Sequence, residues 1–317
     1  MDTLGRCRQK GMKKMAHKQA ELLLAFVIIC RASAMMFSKI ALASLSPMNL
    51  LAWRFVPAFI IIAVIFHRQL RQASAKAWLH GAILGTGFFA TMTFEMWSLK
   101  ASAATNVALL ENTAIIWTPL VIAILARRLP RTQSIFSSVI AFVGVGCLTL
   151  SGKGFYISAE DAHALTAAFL YTTVIILTDR FAKENADDVV PMGIIQIGVL
   201  GVLALVSTPV TGGFSLPVGQ EVWLCLAFLI IICTGFGFTL QPLAQRYVSA
   251  ERAGLFCGLN PFFAAILAAV FLQERLSLQG YTGLVLILSA VLLPYLAQSV
   301  HHFPIKGLKH LKYKTEP

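Results

Sequence analysis

Charge is what this sequence has least of. Of its 317 residues 13% are charged, where a soluble domain carries about a quarter. Acidic side chains are the rarer sign, 14 against 26 Lys and Arg, for a formal net charge of +12. With 57% hydrophobic residues in long runs from end to end, a soluble globular fold is excluded. The six cysteines (Cys7, Cys30, Cys147, Cys225, Cys233, Cys257) show no ligand spacing, and all but Cys7 lie inside apolar runs, which argues against a disulfide framework or a metal site. There is no G-x-x-x-x-G-K-[ST] loop to support ATP use, and no cofactor is implied. The apolar runs also lack H-x-x-E-H, a paired Asp motif and G-x-S-x-G, so the chain does not read as an enzyme.

What is present is a series of apolar runs of membrane-crossing length. We place spans at about 21–43, 48–66, 77–97, 102–126, 133–150, 162–181, 190–208, 222–242, 251–272 and 278–298, an all-α membrane protein with ten transmembrane helices. Leu22 to Cys30 followed by Ala32-Ser33-Ala34 imitates a signal peptide, but cleavage there would leave nine spans, and Arg31 stands just before the site. With ten spans, one side of the membrane collects 20 Lys and Arg and the other only Lys100, Lys153 and Arg275. That bias puts both termini in the cytoplasm and assigns the basic residues to topology rather than to nucleic acid. A multi-pass membrane protein follows, with the lipid bilayer as a partner; a small-molecule partner and a homodimer are compatible with the sequence.

Within the fourth run, from Asn106 to Leu125, Glu111 and Asn112 interrupt an otherwise apolar stretch ahead of Pro119. A carboxylate at that depth costs roughly 2.5–3.5 kcal/mol on insertion scales, so it should face protein or a wet cavity. On a continuous helix Ala104, Ala108, Glu111 and Thr118 share one narrow stripe. Gly81-x-x-x-Gly85 and Gly254-x-x-x-Gly258 read as packing faces.

The two halves of the chain also resemble each other. Setting Arg128-Leu129 over Arg275-Leu276 aligns Ser102-Ala103 with Ser249-Ala250 and brings Glu111 onto Gly258 and Pro261 onto Ala114. Five spans per copy would invert the second in the membrane, an arrangement typical of secondary transporters. The organisation expected is a basic tail (1–20), a first five-helix repeat (21–150), a second (160–298) and a basic tail (299–317).

The run from Ala103 to Glu111, Ala-Ala-Thr-Asn-Val-Ala-Leu-Leu-Glu, the segment Asn260 to Ser277, and Glu160-Asp161 at the start of the second half carry a resemblance. The chain resembles EamA-type proteins of the drug/metabolite transporter superfamily over roughly residues 20–298. The resemblance implies a ten-helix inner-membrane carrier, mostly an exporter of amino acids, other metabolites or toxic compounds. Glu274-Arg275-Leu276 is intact in the second half, whereas the first half has Arg127-Arg128-Leu129.

At 1.5 Å per residue, Arg31 lies about 15 Å from the cytoplasmic end of its span and Glu111 about 13 Å from the outer end of its own. Lys39, Arg54 and Glu95 fall within roughly 10 Å of the outer interface. We therefore expect a central layer of Arg31 and Glu111, joined by the uncharged Asn112, Tyr171, Gln196, Thr234 and Asn260, and an outer layer of Arg54, Glu95 and Lys39. Glu111 would be the proton-coupling group or the counter-ion of a substrate amine, and Arg31 would contact a substrate carboxylate or keep Glu111 ionised. Alternatively Arg31–Glu111 and Arg54–Glu95 are ion pairs that fix helix register, with Lys39 snorkelling to the interface. The function expected is secondary-active export of amino acids or other small metabolites by alternating access; a translocase of a lipid-linked intermediate is the alternative.

Overall fold

A computed structural model describes residues 17–102, 107, 110–127, 129, 132–149, 161–184, 187–257, 259–260, 262–263 and 278–301. Among the described residues there are helices and turns and no strand. The expected stripe members Ala104 and Ala108, the repeat partners Gly258 and Pro261, the Glu274–Leu276 segment and residues 1–16 and 302–317 of the basic tails lie outside them, while 17–20 and 299–301 continue the neighbouring helices.

The helices are α1 (His17–Ala41), α2 (Pro47–Ile65), α3 (His67–Arg71), α4 (Ala75–Ala101), α5 (Ala114–Leu125), α6 (Thr132–Thr149), α7 (Asp161–Glu184) and α8 (Val189–Ser207), then α9 (Gln220–Phe228), α10 (Gly237–Gln245), α11 (Ala250–Cys257) and α12 (Leu278–His301). Their starts have local causes. Ser46 caps α2 by accepting from the Asn49 amide, with Pro47 in the first turn, and Ser74 caps α4 by accepting from the Ala77 amide. Between α8 and α9 the chain turns through Gly212 and Gly213, at φ of 101° and 87°. Glycine tolerates that left-handed backbone where other residues are strained.

Among the described residues, five helical stretches are long and apolar enough to cross a membrane: Gln19–Ala41, Pro47–Ile65, Ala162–Glu184, Val189–Thr211 and Gln220–Gln245. Ala114–Leu125, Thr132–Cys147 and Leu278–Leu293 are shorter apolar helices. α4 has the length, 27 residues, but glycines, His80 and Glu95 dilute its apolar character.

Two of the expected spans are not regular helices. Leu110 and Glu111 are helical, Asn112 and Thr113 form a turn, and α5 starts afresh at Ala114. The Thr113 amide and hydroxyl both donate to the Leu110 carbonyl, at 3.1 and 2.6 Å, so the local side chain competes with the helical ladder. The single stripe expected through Glu111 and Thr118 is thus broken. The eighth span is continuous from Gln220 to Gln245, but its middle, Leu229–Phe236, is wound as a π-helix between α9 and α10. Such windings are rare and concentrate at functional positions.

α8 is the central strut, packed by α2, α4 and α10, and most of its residues are buried. Small residues set these approaches. A Cβ on Gly85 of α4 would stand 2.7 Å from the Val199 Cβ and 2.8 Å from the Gln196 carbonyl of α8, and one on Gly81 would stand 2.8 Å from the Ile195 Cβ. The expected packing role of Gly81 and Gly85 is therefore what the structure shows. α1 runs along the Gln220–Gln245 rod, and α6 pairs with α12. Glu21 near the start of α1 accepts from Arg252 Nη1 of α11 at 2.9 Å. Replacing Gly85 by valine should push α4 from α8 and cost about 1–3 kcal/mol, whereas Gly146→Ala, with nothing within 4 Å of its Cβ position, should be neutral. Thermal unfolding of the two purified variants checks the contrast.

Candidate functional site

A cleft with about 450 Å³ of empty space, open solvent included, lies among α1, α4, the Leu110–Ala114 break, α7 and the segment after α11. Its charged and polar lining is Arg31, Thr91, Glu95, Glu111, Asn112, Tyr171 and Asn260, with Ile28, Ala114, Ala167 and Ala168 completing the wall. Each comes to the cavity for a local reason. Arg31 lies mid-helix on α1, and Glu111 and Asn112 sit where the backbone leaves the helix. Tyr171 projects from α7 beside small Ala167 and Ala168, which leave the space.

Arg31 is held by several groups. Its guanidinium carbon stands 4.6 Å from the Tyr171 ring centroid and 5.5 Å from that of Phe238, and Nη1 donates to Gln241 Oε1 at 3.4 Å. The positive charge thus lies against two aromatic faces, whose quadrupoles attract it. Arg54 is 3% exposed; its Nε donates to Thr234 Oγ1 at 2.7 Å, and its guanidinium lies 5.0 Å from the Phe55 centroid and 6.0 Å from that of Phe238. Phe238 also contacts Phe55 and Phe88 edge-on at 5.2 and 5.0 Å. Both arginines therefore lie near the Phe238 ring.

The carboxylates are placed differently. Among the described residues neither Glu95 nor Glu111 has a cationic nitrogen within 4 Å of its oxygens, and Glu111 Oε1 is buried without a hydrogen-bond partner. Asn260 Oδ1 is in the same condition. A buried acceptor without a donor is costly, and such groups point to a ligand or water that completes them.

The structure brings together Arg31, Glu111, Asn112, Tyr171 and Asn260, and it corrects the two-layer expectation by adding Glu95 to the same wall. Neither expected ion pair is formed: Arg31 turns to Tyr171 and Gln241, and Arg54 to Thr234. Lys39 does not snorkel freely; its ammonium donates to the carbonyls of Leu99 and Ser102, at 3.0 Å for the latter, closing the C-terminal end of α4. Gln196 is fully buried without lining the cavity, and both its amide atoms lack partners. Sequence reasoning missed Gln241 and Thr91. The signal for Gln241 was there, an amide next to Pro242 in an otherwise apolar span.

The model of the EamA-like transporter family matches residues 18–150 and again residues 160–296. The chain belongs to that family. Similar proteins are themselves named as transporters. An uncharacterized transporter of Archaeoglobus fulgidus is 25% identical over 268 residues, covering 82% of this chain and 91% of its own. A second from the same organism is 27% identical over 290 residues, covering 90% of this chain and 89% of its own. The uncharacterized transporter YyaM of Bacillus subtilis is 24% identical, covering 80% of this chain and 86% of its own. A protein of known crystal structure superposes with a TM-score of 0.74 over 90% of this chain and 100% of its own, and at 18% identity that likeness shows the fold alone. A family domain found twice, relatives named transporters and several apolar helices make this EamA-family chain a multi-pass membrane protein.

Thr234→Val keeps the shape and removes the acceptor of the buried Arg54. It should destabilise the fold by about 1.5–3 kcal/mol, and Thr234→Ser should restore most of that, as read from thermal unfolding in detergent.

Proposed function

We propose that this EamA-family protein is a secondary-active carrier of small organic metabolites, amino acids among them, working as an exporter by alternating access. The observation that carries this reading is the cavity: Arg31, Glu95, Glu111 and Asn112 come from the first family-matched segment, and Tyr171 and Asn260 from the second. A charged cavity built jointly by two similar halves is where a substrate would be exposed alternately to each side. On this reading ten helices form two inverted five-helix repeats (21–150 and 160–298) in the cell inner membrane, with both basic tails in the cytoplasm.

Glu111 is the coupling group in this scheme. A carboxyl with an unpartnered buried oxygen at a helix break can exchange a proton for a ligand donor as the cavity changes sides. Asn112 and Asn260 orient the substrate, and Arg31 sets the field of the cavity from its aromatic seat. Arg54 and Lys39 hold helices in place.

In proteoliposomes, a pH gradient should drive substrate flux, and Glu111→Gln should lose that dependence while retaining the fold. Flux through Glu111→Gln that still follows the gradient would remove Glu111 from coupling.

A further inference from the structure

Within the carrier reading, the cavity's own hydrogen-bond inventory narrows the substrate. The two buried atoms left without a partner on its wall, Glu111 Oε1 and Asn260 Oδ1, are both acceptors. The main donor of the wall, the Arg31 guanidinium, is already engaged by the Tyr171 and Phe238 rings and by Gln241. Two carboxyl side chains, Glu95 and Glu111, line the cavity beside that one guanidinium, and Arg54, outside the lining, acts electrostatically on Glu95, so Glu111 is the carboxyl left to answer a ligand. A ligand that fills these vacancies brings N–H donors. A carboxylate in the same space would face the Glu111 acceptor and find Arg31 already engaged.

From this we infer that the substrate is a small organic cation carrying a primary ammonium, which donates to Glu111 and Asn260, and that Arg31 is not a receptor for a substrate carboxylate. A zwitterion adds a carboxylate beside the unpartnered acceptors of the wall, so it binds less well than a mono- or diamine of the same length.

The test compares three four-carbon probes on the purified full-length protein: 1,4-diaminobutane, 4-aminobutyrate and succinate, each titrated by thermal shift. Bound ligand raises the unfolding temperature by mass action. The diamine should stabilise saturably, 4-aminobutyrate should bind at least about tenfold more weakly, and succinate should not stabilise. Glu111→Gln should weaken the diamine at least about tenfold. If that variant does not fold, Asn260→Asp serves instead and should tighten the diamine by adding charge to an acceptor already facing the ligand. Stabilisation by succinate, equal stabilisation by 4-aminobutyrate, or no stabilisation by any probe would overturn the inference. Flux measurements separate the two readings. Diamine binding without diamine flux leaves this inference standing and sinks the carrier. Flux of a zwitterion without diamine binding does the reverse.

Discussion

A bare charge inside an apolar medium is so costly that each one here dictates its surroundings. In a bilayer no bulk water is available to compensate a misplaced ion or an unpaired backbone group. Arg54 is buried and Arg31 half-buried, and aromatic faces and the neutral acceptors Gln241 and Thr234 hold both. Phe238 lies near both guanidiniums, 5.5 Å from Arg31 and 6.0 Å from Arg54, and its edge-on contacts with Phe55 and Phe88 fix its place. Because the cations are satisfied this way, the acids remain available to whatever enters the cavity.

The irregular windings belong to the same solution. Asn112 and Thr113 stop a helix beside Glu111, and the π-wound stretch Leu229–Phe236 presents Thr234 to Arg54. Backbone that leaves the regular ladder at membrane depth is tolerated where protein or a cavity can meet its polar groups. In both places it delivers a polar side chain where a straight helix would bury a flank.

Much of this was legible in the sequence. Hydropathy located apolar helices among the described residues, and the polar interruptions Arg31, Glu111, Asn112, Tyr171 and Asn260 all line one cavity. Glu95 was misplaced for a geometric reason. Its height on α4, about 9 Å below the end at Ala101, is as residue counting gave it, but counting could not show that its side chain shares a wall with Arg31 and Glu111. Counting residues along a rod also gives height and not azimuth, so it could not show that Arg54 Nε donates to Thr234. The π winding was hidden as well, since nothing in Leu-Ile-Ile-Ile-Cys-Thr-Gly-Phe distinguishes one helical pitch from another.

The Glu21–Arg252 contact has a bearing on biogenesis. Its two residues are separated by 231 positions, so the bond can close only after most of the polypeptide has left the ribosome. Until then α1 sits in the bilayer without this contact, and the arrival of α11 fastens it to a helix made much later. Assembly of the two halves is thus completed late, by a polar clasp rather than by the apolar runs that inserted first.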